Sequence, residues 1–286
     1  MIQSMTGFGK ATLQLPTKKI TIEVKSLNSK GLDLNVRMPS VYREMELGLR
    51  NQIALALERG KIDFSIFIES TAEQTATKVN VPIMKAYMNQ LRAVYADANE
   101  TELMKMAVRM PDALKTERDE IDANDWVQIQ TVIAESLTNI LNFRKDEGAS
   151  LEKEFQLRIS NIRQYMNDAL ALDPERVQAI KDRLQTAIAE LQVNVDENRF
   201  EQELIYYLEK LDITEEKVRL TNHLDYFLET IKGTEANGRK LGFITQEMGR
   251  EINTMGSKSN HAQMQKLVVM MKDELEKIKE QLLNVL

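Results

Sequence analysis

Between Gly238 and Lys258 the chain reads GRKLGFITQEMGREINTMGSK, its densest run of groups able to do chemistry: Arg239, Lys240, Gln246, Glu247, Arg250, Glu251, Asn253, Ser257 and Lys258. On a helix Glu247 and Glu251 stand at i and i+4, so both carboxylates project from one face. Like charges at that spacing destabilise a helix by about 0.2 to 0.5 kcal/mol unless a cation sits between them. A divalent ion such as Mg or Mn is one such cation, because hard ions prefer paired carboxylate oxygens. Arg239, Lys240 and Arg250 are the other source, neutralising an ordinary solvated face. There are two histidines. His223, in RLTNHLDYFLET, lies beside the apolar stripe Leu220, Leu224 and Phe227. It suits a third metal ligand next to the glutamates, a general acid or base, or a buried and satisfied side chain. His223 and His261 together offer a metal-free route to RNA cleavage, one accepting the 2'-hydroxyl proton and the other protonating the leaving oxygen.

At the other end, SMTGFGKAT places Gly7 and Gly9 around Phe8. It is not a dinucleotide fingerprint, since no strand precedes it and the third glycine is missing. Two glycines allow a tight bend or a close approach of backbone. Phe8 with Lys10, Lys25, Lys30 and Arg37 would make a basic, aromatic-containing surface for single-stranded nucleic acid. Charge placement agrees with basic ends: residues 1–70 carry 10 Lys/Arg against 7 Asp/Glu, residues 71–236 carry 20 against 31, and residues 237–286 carry 8 against 6. A polyanion would be repelled by the middle and held only by the ends. Solvated helical faces produce a similar imbalance.

Composition narrows the rest. A length of 286 residues suits about two domains of roughly 100 to 200 residues. Zero Cys excludes a disulfide scaffold, thiolate catalysis and a Cys-based zinc site, and suits a reducing, cytoplasmic setting. No signal-peptide run or membrane span is expected, because charges interrupt every apolar stretch. The 15 Met read as helical core filler.

The elements that must position these groups follow from apolar period. It is 2 through Leu13 and Leu15, Ile20 to Val24, Leu32 to Met38, and Ile62 to Ile68, which predicts four strands. Met45, Leu49, Ile53 and Leu57 predict a helix between the third and fourth, ended by Arg59-Gly60. The expected fold is therefore α+β. A small N-terminal antiparallel sheet, β-β-β-α-β, has one face on a helix and one free, and a large all-helical region follows it. After Ser70 no alternating segment is expected. Helices are predicted at Asn80–Ala98, Thr101–Met110, Trp126 through Gly148 to Leu172, Pro174–Val193, Glu197–Leu211, Thr214–Ile231, Arg239–Met255 and Ala262–Val285, with a loop over Lys115–Asn124. The last carries a coiled-coil-like seam from Met264 to Val285 that must be buried in this chain or against a second copy. The expected division is a sheet module at 1–70, a helical connector at 71–125, a long helical arm at 126–236 and a C-terminal helical domain at 237–286.

MIQSMTGFGKA at the start, LERGK at Leu57 to Lys61, RKDEGASLEKE at Arg144 to Glu154, RLTNHLDYF at Arg219 to Phe227 and the Gly238–Lys258 block resemble the YicC/YloC family of bacterial proteins, nearly end to end. The resemblance implies a cytoplasmic endoribonuclease of RNA turnover that encloses RNA as a homohexamer with divalent metal support. It implies a site of Glu247, Glu251 and His223, both catalytic and metal-binding. RNA contacts would come from Phe8, Lys10, Lys30, Arg37, Arg59, Lys61, Arg239, Lys240, Arg250, Asn253 and Lys258. Three positions depart from the family pattern. Asn28-Ser29-Lys30 stands where many members have Asn-His-Arg, His261 where many have Asp, and Gly242 where an acidic residue is common. The rival expectations are a non-catalytic RNA-binding adaptor serving another nuclease and a structural oligomer held by the C-terminal seam.

Overall fold

The structure is a computed structural model describing residues 2–16, 18–70, 77–116, 123–191, 197–233 and 238–286. Strands β1 (Gly7–Gln14), β2 (Lys18–Leu27), β3 (Leu32–Arg37) and β4 (Gly60–Ser70) form one sheet in the order β1-β2-β4-β3. The first three strands in that order are antiparallel, as expected, but β3 runs parallel to β4. A parallel neighbour needs a crossover. The chain supplies it as a 3₁₀ turn over Ser40–Met45 continuing into α1 (Glu46–Leu57). That helix ends before the expected Arg59-Gly60: Glu58 takes φ 49 and Gly60 takes φ 127 as β4 begins. Alternation does what the period predicted. Ile20, Ile22, Val24, Ile62, Phe64 and Ile66 turn inward on Leu49, Ile53 and Leu57, and the opposite face is open.

Two short strands were not expected after Ser70. β5 (Thr77–Val79) pairs antiparallel with β6 (Leu114–Thr116), and three residues are too few for alternation to register. Between them lie α2 (Val81–Val94), starting after Asn80, and α3 (Glu100–Ala107). The expected loop from Lys115 is strand to Thr116, and its residues 117–122 lie outside those described.

α4 (Ala123–Ala171) is one helix of 49 residues, about 74 Å long at 1.5 Å per residue, and it passes uninterrupted through Gly148. Its first half places Ile129, Ile133, Leu137 and Ile140 in the sheet core, and its second half places Phe155, Ile159, Ile162 and Met166 in a separate helical core. α5 (Asp173–Leu191), α6 (Glu197–Lys210), α7 (Thr214–Lys232), α8 (Gly238–Lys258) and α9 (Ala262–Leu282) follow. α4, α7, α8 and α9 build the second core, with Phe155 edge-on to Phe227 at 5.7 Å. The C-terminal seam is buried here: Met264, Met271, Leu275, Ile278, Leu282 and Val285 all face inward, with Val268 taking the place expected of Leu267.

Polar fixings join the parts. Buried Glu274 on α9 accepts from Lys277 Nζ at 2.7 Å, Asn161 Nδ2 at 3.0 Å and Arg158 Nη1 at 3.3 Å, tying α9 to α4. Burial by itself raises a carboxyl pKa, but these three donors outweigh it and hold Glu274 below the ordinary value. Arg144 is fully buried where α4 meets the sheet. Its Nη1 donates to Leu57 O, and its Nη2 to Ser26 Oγ, Met5 O and Arg59 O, all between 2.5 and 3.3 Å. The chain ends meet beside it: Ser4 N donates to Arg144 O, Met5 N to Asn284 O and Leu286 N to Gln3 O.

Candidate active site

α8 is amphipathic, with Leu241, Ile244, Met248, Ile252 and Met255 toward the core at spacings of three and four. One flank carries the chemistry. Lys240, Glu247, Glu251 and Lys258 follow one another at intervals of seven, four and seven residues, which puts them on a single stripe. Both ends of that stripe are anchored on the antiparallel neighbour α7. Lys240 Nζ lies over the Tyr226 ring at 4.8 Å, and Lys258 Nζ reaches Glu216 Oε1 at 2.7 Å and Asp212 O at 2.8 Å. The two glutamates between these anchors therefore lie on the α7 flank. On α7, Glu216, His223 and Tyr226 share the facing stripe at intervals of seven and three residues, so His223 stands in the same α7–α8 groove.

The two glutamates differ in surroundings. Glu247 is half exposed and accepts from Arg250 Nη1 at 3.2 Å, a pair of small energetic weight at that exposure. Glu251 is 4% exposed and makes no hydrogen bond or ion pair among the described residues. Its stem is covered by the core while its oxygens are not among the buried, unpartnered atoms, so the carboxylate reaches the groove surface, where a cation or a ligand donor has access to it. In the same groove, Glu216 Oε2 is buried without a partner.

A divalent ion would need its ligands from these groups. Among the described residues no three His, Asp or Glu side chains come together as a metal-holding group, so the trio of His223, Glu247 and Glu251 is not assembled as a cage. Glu251 with Glu247 fits the looser arrangement typical of Mg, in which one or two carboxylates share the ion with water and substrate phosphate. His223 makes no hydrogen bond to either glutamate and is placed as a neighbour in the groove. His261 serves as the N-cap of α9, its Nδ1 accepting from Met264 N at 3.4 Å.

The expected RNA contacts divide into groups. Phe8, Lys10, Arg37 and Lys61 lie on the open face of the sheet, where the register runs Phe8–Lys25–Asp63 and Lys10–Glu23–Ser65–Arg37 across strands. Phe8 has Lys25 over its ring at 5.7 Å, and Lys10 pairs with Glu23 at 3.0 Å. Burial raises the Glu23 carboxyl while the Lys10 hydrogen bond, the larger influence, lowers it, and the net direction is down. Lys30 is exposed in the β2–β3 turn, and Arg59 donates from Nε to Ser29 O at 2.9 Å, bracing that turn. Arg239, Arg250 and Asn253 are exposed on α8. Arg239 and Lys258 are 19 residues apart on this helix, about 28 Å, so they cannot share a phosphate. Lys258 is committed to Glu216 and Asp212 O.

Gly7 and Gly9 serve close approach. A Cβ on Gly9 would sit 2.2 Å from Ser136 O and 2.8 Å from Ile140 N, so only glycine lets β1 lie against the α4 backbone. Sequence reasoning missed Arg144, Glu216 and Tyr226. Arg144 opens the RKDEGAS segment, and Glu216 and Tyr226 flank His223 at helical spacing. That spacing was the available signal.

Comparison with known proteins covers the whole chain. Residues 2–153 match the family described as Endoribonuclease YicC-like, N-terminal region, and residues 170–286 match Endoribonuclease YicC-like, C-terminal. A protein of Clostridioides difficile (strain 630) named "Probable endoribonuclease YicC" is 30% identical over 293 residues, covering 100% of both chains. A Haemophilus influenzae (strain ATCC 51907 / DSM 11121 / KW20 / Rd) protein of the same name is 30% identical over 287 residues, again covering 100% of both. No helix among the described residues is long and apolar enough to cross a membrane.

Proposed function

Because this chain belongs to the YicC-like endoribonuclease family, we propose that it is itself an endoribonuclease that cuts single-stranded or structured RNA in RNA turnover, with its reacting centre in the α7–α8 groove. The supporting observation is the Glu247–Glu251 pair, two carboxylates on one flank of α8 with no protein donor on Glu251 among the described residues, in a groove anchored at both ends by lysines. A Mg or Mn ion held by Glu251 and Glu247 would supply charge stabilisation at the scissile phosphate.

The chain's own residues bind and orient. Arg239 and Lys240 stand at the end of α8 nearest the joined termini, since Gly238 N donates to Leu286 O, and they offer phosphate contacts beside the N-terminal motif. His223, on the α7 side of the same groove, would exchange a proton with an RNA oxygen there. The open sheet face, through Phe8, Lys10, Lys25, Lys30, Arg37 and Lys61, holds the strand by stacking and phosphate contacts, and Arg59 braces the turn that carries Lys30. The homohexamer and the cytoplasmic setting implied by the family resemblance belong to this proposal.

The test is cleavage of an end-labelled structured RNA by wild type and by the double variant Glu247→Ala/Glu251→Ala, each with Mg²⁺, Mn²⁺ or EDTA. Internal cuts lost on both chelation and substitution support the reading. Equal cutting by the two proteins moves the reaction away from the groove, and binding without cutting by either makes the protein an RNA-presenting adaptor.

A further inference from the structure

The segment from Thr77 to Thr116 packs chiefly on itself, and among its described residues only Met84, Leu103, Ala107 and Ala113 are buried. Four core residues are a small interior for 40 residues, so the segment gains from further burial outside itself. Its surface offers that area: Val94, Tyr95, Met106 and Met110 are exposed, Val94 to 87%. Beside the methionines, Arg109 is exposed and has no carboxylate partner among the described residues.

A second surface shows the same deficit with opposite charge. Along α5 only Arg176 is fully buried, and along α6 no described side chain is. α6 exposes Ile205, Tyr206 and Tyr207 among Glu201, Glu203 and Glu209, none of which is ion-paired among the described residues. Residues 173–210 carry 5 Lys/Arg against 9 Asp/Glu, and residues 77–116 carry 6 against 4. The acidic surface repels phosphate, so α6 is no part of an RNA grip. Within one chain the two surfaces do not pack substantially on each other.

We infer that the exposed apolar surface of the α2–α3 segment docks on the Ile205–Tyr206–Tyr207 face of α6 in a second copy of this chain. Apolar area meets apolar area, and Arg109 meets the α6 glutamates. The contact is head-to-tail, because two different surfaces pair. It therefore repeats from copy to copy, and it ends in a ring if the rotation closes. The inference rests on the self-association proposed above and names its surfaces.

The experiment is molar mass by light scattering on the full chain, with Tyr206→Glu on α6 and Met110→Glu on the other surface. Both sites are exposed, and far-ultraviolet circular dichroism with Trp126 fluorescence checks that each variant folds. Wild type is expected as an oligomer, each variant alone as a monomer, and an equimolar mixture of the two as dimers and no larger species. One intact pair of surfaces survives in that mixture, which only a head-to-tail contact allows. Variants that keep the wild-type mass, or a mixture that stays monomeric, overturn the inference while leaving self-association standing. A monomeric wild type removes self-association and the inference together, and its RNA cleavage, measured in parallel, shows whether the nuclease reading survives.

Discussion

The same substitution at two glycines should have opposite effects. In Gly9→Ala the new Cβ lands 2.2 Å from Ser136 O and 2.8 Å from Ile140 N, both helix backbone atoms that cannot rotate away. Relief requires β1 and α4 to separate by about 1 Å, across the face where Ala11, Ile133 and Ile140 pack. Overpacking of this kind costs about 1 to 3 kcal/mol, and a clash with backbone on both sides belongs at the upper end, about 3 kcal/mol. In Gly242→Ala the Cβ meets nothing within 4 Å inside a regular helix, so removing glycine's backbone entropy gains about 0.5 to 1 kcal/mol. The assay is built into the chain. Trp126, the only tryptophan, packs on Tyr42 at 5.4 Å in the sheet core, so its fluorescence in urea follows that core, while circular dichroism at 222 nm follows the helices. Gly9→Ala should move the Trp126 midpoint down by the equivalent of about 3 kcal/mol, and Gly242→Ala should move the helical transition up. A Gly9→Ala protein with an unchanged Trp126 midpoint would refute the close β1–α4 approach.

Arg144→Met should cost about 1 to 3 kcal/mol by the same fluorescence measurement, because Leu57 O, Met5 O, Arg59 O and Ser26 Oγ each lose a guanidinium donor, while the Ser26 Oγ to Met5 O bond and the Arg59 N to Leu57 O bond remain. Glu274 has a depressed pKa in the folded state, so its stabilisation is present above the unfolded carboxyl value, near 4.5, and is lost as pH falls through the folded value. Glu274→Gln should therefore flatten the acid limb of a stability-against-pH curve; an identical limb in both proteins would show that the carboxylate is not held in this way. Lys61→Met should weaken RNA binding and lower the slope of log K against log salt by about 1. Lys258→Met should leave that slope unchanged and destabilise the protein, since Lys258 is held by Glu216 and Asp212 O.

Period carried the reading of the fold. Alternation located all four strands of the large sheet, and the 3.6-residue pattern found the long helix through Gly148, because a glycine at a crossing point is tolerated where packing on both sides is strong: a Cβ at Gly148 would meet Ile2 O at 2.2 Å. The parallel pairing of β3 was not legible, since strand direction depends on where the crossover helix lands. At the site, the i, i+4 rule put Glu247 and Glu251 on one flank of α8, but burial separated them, and only the packing of α7 shows that. Lys258 reads in sequence as a phosphate contact because type and exposure pattern are all a sequence offers. Its partner Glu216 lies 42 residues away and is visible only once the helices pair.

The 49-residue helix α4 also bears on how this chain can be divided. The two family matches end at residue 153 and begin at residue 170, and that interval falls inside α4, where Phe155, Ile159, Ile162 and Met166 fill the helical core. A fragment beginning at residue 170 would lack one wall of its interior, and one ending at 153 would carry a helix stub with an uncovered apolar edge. Each half is thus a lineage of sequence without being a unit of folding, and truncations meant to isolate either half should be cut outside this helix or not at all.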